Sequence, residues 1–200
     1  MKIAIFSGGE FSAVKILPYD KLICADKGCD YAQNLGLIPD YIVGDFDSLG
    51  FVPNGAEVFP FDKDFSDTEL ATKKAIMLGA TEIDYYFCLG GRIDHELFNL
   101  ALLKSCSNAN VKARIIDKNQ TVYLLDKTCV KNDFSAKKDS YVSFVPTTKT
   151  VEFENSFGLK YPLDNLRVEI GQTKTLSNVA TSEVFSVTLK FGEALVVVNG

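Results

Sequence analysis

The sequence contains no tryptophan and a single histidine, His95. A metal centre built on several imidazoles is therefore excluded, and a Ser-His-Asp triad would have to use His95. Cysteine is sparse: Cys24, Cys29, Cys88, Cys106 and Cys129 are odd in number, and no two form a Cys-x-x-Cys pair. They read as reduced, mostly buried thiols of a cytoplasmic protein. No run of 18 apolar residues exists, so no membrane span is expected. The apolar start Met1–Phe6 is too short for a secretory signal. No cluster of five Lys or Arg occurs and the net charge is −5, which argues against a nucleic-acid partner. A small anionic ligand needs only a few local cations and fits this balance. There is also no Gly-x-x-x-x-Gly-Lys-Ser/Thr, so phosphate binding would need a device other than a P-loop.

What is present falls into two textures. Over the first half, strand-like runs alternate with helical stretches. The runs Lys2–Phe6, Lys21–Ala25, Tyr41–Val43, Val58–Phe61, Ile83–Leu89 and Ala113–Ile116 each stop at Gly or Asp, or at Ser7 just before Gly8. Between them, Ser66-Asp67-Thr68-Glu69 fits a capping box ahead of Leu70, Ala71, Lys74 and Met77. Asp94 is placed to cap a helix through Leu97, Phe98, Leu100, Ala101 and Leu102. Alternating strands and helices imply an α/β domain, Rossmann-like and three-layered, with a mostly parallel sheet. Ligands of such sheets bind outside the carboxyl ends of the strands. Beyond about residue 125, period-two runs separated by turns take over, as in Tyr141–Val145, Val184–Phe191 and Ala194–Val198. Phe185, Val187, Leu189 and Phe191 fall on one face of the second run. A C-terminal antiparallel β-sandwich is expected, with the domains at 1–128 and 129–200.

The polar rim holds the sharpest signal. Tyr41-Ile42-Val43 runs into Gly44-Asp45-Phe46-Asp47-Ser48. In an extended chain Asp45 and Asp47 face the same way, with Cα atoms about 6.6 Å apart. Asp26, Asp64 and Asp67 stand at neighbouring strand or helix ends. Two carboxylates about 4 Å apart repel by about 4 kcal/mol at an effective dielectric near 20, so three or more gather only around a cation. All-oxygen ligands favour Mg²⁺ or Ca²⁺ over Zn²⁺. A calcium loop starting at Asp45 fails, because its twelfth position is Ala56 where a Glu is required. Any single strand-end Asp also reads as a turn residue or cap. The backbone N–H groups at Ser66-Asp67-Thr68 and the Gly90-Gly91-Arg92 turn are candidate phosphate cradles. Arg92 reads either as a phosphate ligand or as an ion-pair partner of Asp94. His95 reads as a surface residue rather than a general base.

Taken in order, Ala25-Asp26-Lys27-Gly28, Gly44-Asp45-Phe46-Asp47-Ser48, Asp64-Phe65-Ser66-Asp67-Thr68, Gly90-Gly91-Arg92-Ile93-Asp94, Gly158-Leu159-Lys160-Tyr161 and Ser177-Asn178 resemble the thiamine pyrophosphokinases. The resemblance implies an N-terminal α/β domain, a C-terminal β-sandwich and a homodimer. It also implies transfer of the pyrophosphoryl group of ATP to the hydroxyl of thiamine, giving thiamine diphosphate and AMP. Asp45 and Asp47 match the metal-binding aspartates, and Asp26 and Asp67 complete the Mg²⁺-ATP site, with Asp67 also a metal ligand. Asp64 and Ser66 are their neighbours, and Lys27 and Arg92 are assigned to ATP. Asp45, Asp47, Asp67 and Asp94 are the catalytic candidates, with Asp67 or Asp94 as proton acceptor. Tyr161, Ser177 and Asn178 are assigned to thiamine.

The chain departs from the family pattern in places. Lys27 stands where Gly is usual, Ser66 where Thr is common, His95 where Gln is frequent, and Tyr161 where Trp is frequent. Without tryptophan, stacking on thiamine falls to Tyr or Phe; Tyr161 also reads as a core residue of the sandwich. Two other functions remain compatible with the Asp-x-Asp pair: a metal-dependent nucleotide-sugar transferase and a non-catalytic ligand-binding module.

Overall fold

The computed structural model describes residues 1–46, 50–60, 64–127 and 133–200. It divides into two compact units, Met1–Lys118 and Asn119–Gly200. The boundary expected between 128 and 129 falls outside the described residues.

In the first unit the described strands are β1 (Lys2–Phe6), β2 (Lys21–Ala25), β3 (Tyr41–Gly44), β4 (Glu57–Val58), β5 (Glu82–Tyr86) and β6 (Lys112–Ile116). They pair in the order β6-β5-β1-β2-β3-β4, and each of these neighbouring pairs is parallel. The helices are α1 (Gly28–Asn34), α2 (Asp67–Met77) and α3 (Ile93–Asn108). The unbroken apolar runs of β1 and β2 follow from burial on both faces. Ala4, Phe6, Leu22, Cys24 and Tyr86 pack with Tyr31 and Ala32 of α1 on one face. On the other face Tyr85 meets α2 and α3: its hydroxyl lies 2.8 Å from Thr72 Oγ1 and 3.1 Å from Cys106 Sγ. Asp84, almost fully buried, is neutralised by Lys2 Nζ at 2.9 Å and Arg114 Nε at 2.6 Å. Burying such a carboxylate alone would be costly.

Three elements end differently from the sequence reading. The fourth strand is Glu57–Val58, and Phe59 and Pro60 lie beyond its end. The fifth strand stops at Tyr86 rather than Leu89, because Phe87 takes a left-handed backbone, φ 57°. Helix α3 begins at Ile93, with Arg92 at its N-cap and no side-chain cap. Asp94 therefore lies inside the first turn and accepts from the N–H of His95 at 3.0 Å. The expected cap on α2 forms: Ser66 Oγ accepts from the N–H of Glu69 at 3.2 Å. Glu69 itself pairs with Lys73 at 3.0 Å.

The second unit is antiparallel. β7 (Gln120–Leu125), β14 (Ala194–Asn199), β9 (Tyr141–Pro146) and β12 (Asn178–Val179) pair in that order. β11 (Arg167–Glu169), β10 (Thr150–Phe157), β13 (Val184–Phe191) and β8 (Asp133–Ser135) form a separate sheet. One apolar cluster takes residues from both, including Val142, Phe144 and Val196 from the first and Phe153, Phe185, Val187 and Leu189 from the second. Phe191 does not join them and is 58% exposed. Between the pairs Phe153–Leu189 and Glu152–Phe191 the register shifts, leaving Lys190 as an extra residue. A bulge of this kind reverses the in–out alternation beyond it. The molecule is thus mixed α/β, with a parallel sheet in one unit and antiparallel sheets in the other. No helix among the described residues is long and apolar enough to cross a membrane.

Candidate active site

The strand order changes direction at β1. From there the chain runs outward through β2, β3 and β4, then returns to β5 on the other side. Loops at the carboxyl ends of strands that diverge in this way leave a crevice. Here the loops after β1, β2, β3 and β5, with the starts of α2 and α3, line a cavity of about 610 Å³.

Three residues just past these strands have positive φ without being glycine: Asp26 after β2 (46°), Phe46 after β3 (61°) and Phe87 after β5 (57°). Each costs of order 1–3 kcal/mol and persists only where surrounding packing enforces it. Phe46 and Phe87 are held by burial, at 3% and 1% exposure. Asp26 is held by its N–H, which donates to Val43 O at 2.9 Å. The turn at Phe46 also means that the chain is not extended past Gly44. Asp47, and with it the shared facing of Asp45 and Asp47 expected from strand geometry, lies outside the described residues.

Asp26, Asp45 and Asp67 all line the cavity, each half-buried, and one carboxylate oxygen of both Asp26 and Asp67 is withdrawn from solvent. Lys27, Ser66, Arg92 and His95 line it too. Asp64 is exposed and is not among the lining residues; Asp94 stands at the edge, tied to Arg92 by contacts of 2.6 and 3.1 Å. The ion-pair reading of Arg92 is the one this structure adopts. The guanidinium holds the Asp94 carboxyl below the usual carboxylate range.

Among the described residues no three His, Cys, Asp or Glu side chains converge closely enough to hold a cation by themselves. Mg²⁺ usually takes only one or two carboxylates, with waters and phosphate oxygens completing its shell. The hard oxygens of Asp26, Asp45 and Asp67 suit that ion. Cys88 also lines the cavity, but burial pushes its thiol up to about 12, so it stays protonated at neutral pH.

Several lining residues carried no functional reading from sequence: Ser7, Gly8, Gly9 and Glu10 after β1, with Phe65 and Asn99. The β1 loop braces the glycine turn. The N–H of Gly9 donates to Phe87 O at 2.8 Å and that of Glu10 to Leu89 O at 2.9 Å. A Cβ on Gly9 would lie 2.6 Å from Phe87 O and 2.8 Å from Leu89 O, so only glycine allows this approach. The carbonyl between them, Cys88 O, accepts from Asn99 Nδ2 at 2.9 Å. Ser7 Oγ and Thr68 Oγ1, 2.6 Å apart and buried, tie β1 to the start of α2. The available signal was position, since all but Asn99, which lies within α3, follow a strand end or stand at a helix start on the same rim.

The residues assigned to thiamine lie in the second unit. Asn178 is buried and its amide is engaged by backbone: Oδ1 accepts from the N–H groups of Tyr161 (3.0 Å) and Val179 (2.8 Å), and Nδ2 donates to Tyr161 O at 2.7 Å. It clamps the Tyr161 segment. Tyr161 is 56% exposed, which sets aside its reading as a core residue, and Lys160 Nζ sits 5.5 Å from its ring centroid. Ser177 is exposed, has φ 57°, and its N–H donates to Ser143 Oγ at 3.0 Å.

Comparison with known proteins bears on both units. The family model for the thiamin pyrophosphokinase catalytic domain matches residues 18–115, and that for the thiamin pyrophosphokinase vitamin B1 binding domain matches 127–196. The thiamine pyrophosphokinase of Bacillus subtilis (strain 168) is 30% identical over 167 residues, covering 78% of this chain and 76% of that protein. The chain belongs to the thiamine pyrophosphokinase family. The crystal structure of thiamine pyrophosphokinase from Bacillus subtilis matches the fold with a TM-score of 0.85 at 27% identity, over 100% of this chain and 99% of that one. The structure of thiamin pyrophosphokinase from Geobacillus thermodenitrificans gives 0.84 at 25% identity, over 100% and 98%. Membership of the thiamine pyrophosphokinase family carries the enzyme class: an ATP-using kinase that converts thiamine to thiamine diphosphate. The nucleotide-sugar transferase and non-catalytic readings fall away.

Proposed function

We propose that the cavity of the first unit is the Mg²⁺-ATP site of this kinase and that the second unit carries the thiamine-binding residues. The observation that carries this is the gathering of Asp26, Asp45 and Asp67, Ser66 and the Gly90-Gly91-Arg92 turn around one cavity at the strand ends. Helix α1 on one sheet face, and α2 and α3 on the other, support the Rossmann-like three-layer reading of the first domain. The apolar cluster shared by two antiparallel sheets supports the sandwich reading of the second. The free, buried thiols of Cys24, Cys88 and Cys106 support a cytoplasmic setting.

Asp45 and Asp67, with Asp47, would hold Mg²⁺ together with waters and phosphate oxygens, and Asp26 would complete the Mg²⁺-ATP site; the ion when bound offsets charge on the transferring phosphoryl oxygens. The chain's own groups do the rest. The α2 start presents backbone N–H groups toward phosphate, favoured by the helix dipole. Lys27 and Arg92 neutralise phosphate charge at the cavity edge; Asp64, two residues before Ser66, stays assigned to ATP by the family resemblance alone. When Arg92 turns from Asp94 to phosphate, Asp94 loses the cation that holds its carboxyl down. It then becomes the better acceptor for the thiamine hydroxyl proton, with Asp67 the other candidate. In the second unit, the exposed Tyr161 ring offers a face to the cationic thiazolium, worth on the order of 0.5–2 kcal/mol. Asn178 fixes its backbone, and Ser177 directly precedes Asn178. The working unit is a homodimer, as the family resemblance implies.

The test is incubation with Mg-ATP and thiamine, quantifying AMP and thiamine diphosphate. Asp45→Asn and Asp47→Asn are expected to lower turnover by orders of magnitude while the circular dichroism spectrum is kept. Near-normal activity of both variants at limiting Mg²⁺ would sink the metal assignment.

A further inference from the structure

One aromatic residue of the cavity has no part in the chemistry above. Phe65 lines it and is 43% exposed. Among the described lining residues it is the sole carbocyclic ring, and it stands one residue before the Ser66 cap and two before Asp67. Lys73 Nζ sits over the Phe65 ring, 3.0 Å from its centroid, and pairs with Glu69 at 3.0 Å. Lys73 does not line the cavity. The ring surface turned to the cavity is therefore the part that the ammonium leaves uncovered.

We propose that Phe65 is the platform on which the nucleobase of the phosphoryl donor stacks, a reading that rests on the assignment of this cavity to nucleotide. Its place follows from adjacency: with phosphates at the α2 start, Phe65 directly precedes Ser66 and is the carbocyclic ring of the described cavity wall within reach of the base. Its preference follows from charge. An ammonium on one face draws on the ring's π density and repels a second cation brought to the other. A neutral, electron-rich purine is favoured there, whereas the cationic thiazolium is not. Phe65 thus separates the two substrates: with an ammonium 3.0 Å from its centroid it takes the neutral base, while the cationic substrate is left to Tyr161, over which Lys160 Nζ stands farther off at 5.5 Å and repels a second cation less.

The experiment measures AMP binding by calorimetry, and steady-state kinetics with ATP and with inorganic triphosphate, which has no base. Phe65→Ala is expected to weaken AMP roughly five- to tenfold, from the worth of a stacked aromatic contact. The KM for ATP rises in parallel, with kcat and the KM for thiamine within about twofold. Phe65→Tyr keeps AMP affinity, and binding of inorganic triphosphate does not change in either variant. The proposal is overturned if AMP affinity is unmoved in Phe65→Ala, or if the KM for thiamine rises instead. Should wild-type protein bind AMP through Phe65 and yet make no thiamine diphosphate, the functional reading fails while the base platform stands.

Discussion

Asn99 fixes a turn that carries most of the polar residues on one side of the cavity. Its amide provides the side-chain hydrogen bond to Cys88 O, midway between two carbonyls held by the backbone of the β1 loop. Asn99→Ala leaves that buried carbonyl without its donor, a loss of about 1–3 kcal/mol. The expected outcome is a lower midpoint in urea and a kcat reduced several-fold, because Arg92 and Asp94 ride on the loosened turn. Asn99→Asp, which keeps the shape but turns an acceptor toward Cys88 O, is expected to be no better. Unchanged kcat in both variants would show that the turn holds without it. At this scale the sequence was legible only in part. Asp26, Asp45, Asp67 and Arg92 were readable because charged residues at strand ends demand an explanation. The left-handed backbone of Phe46 and Phe87 was not, because nothing in a phenylalanine encodes positive φ; tertiary packing imposes it. The bonds of the Asn178 amide to the Tyr161 and Val179 backbone are equally silent in the motif, because a motif carries no record of which groups a side chain engages.

Helix α2 brings local stability and ligand contact together in one residue. Ser66 caps it and also lines the cavity. Loss of an N-cap oxygen costs about 1 kcal/mol. Ser66→Ala is expected to lower the unfolding free energy by about that amount and to raise the KM for ATP. Ser66→Thr, which restores the hydroxyl, is expected to recover both. Equilibrium urea unfolding and ATP kinetics on the two variants check this; a full loss of stability with unchanged KM would make Ser66 a cap alone. Elements marked by such local chemistry were readable in advance, as were strands with continuous or alternating apolar runs. Helix α1 was not, since it spans only Gly28–Asn34 and opens on a glycine. That glycine reflects packing: a Cβ at Gly28 would lie 2.2 Å from Phe6 O. Phe191 leaves the face that the alternation gives it with Leu189 for a similar reason, because the extra residue at Lys190 depends on pairing with β10 and not on the alternation itself.

For the whole molecule, the unanswered feature is apolar surface beside the site. Ile93, Leu97 and Phe98 of α3 are 67%, 60% and 74% exposed, within a few residues of Arg92 and His95 at the cavity. Ile93 and Leu97 are four apart and share a helix face. Large exposed side chains grouped in this way are what an association surface offers. If a second copy covers them in the proposed homodimer, association and catalysis are coupled. Sedimentation equilibrium at micromolar concentration is then expected to give twice the 22.0 kDa chain mass. Activity per chain should fall on dilution in step with the appearance of single chains. Leu97→Glu should shift that dissociation to higher concentration by an order of magnitude or more, because burying an unpaired carboxylate in an apolar contact is strongly unfavourable. Its folding should be retained, since Leu97 is largely solvated within one chain. A chain that sediments at 22.0 kDa at every concentration while turning over fully would remove the homodimer from the functional reading and leave α3 as a bare solvated face.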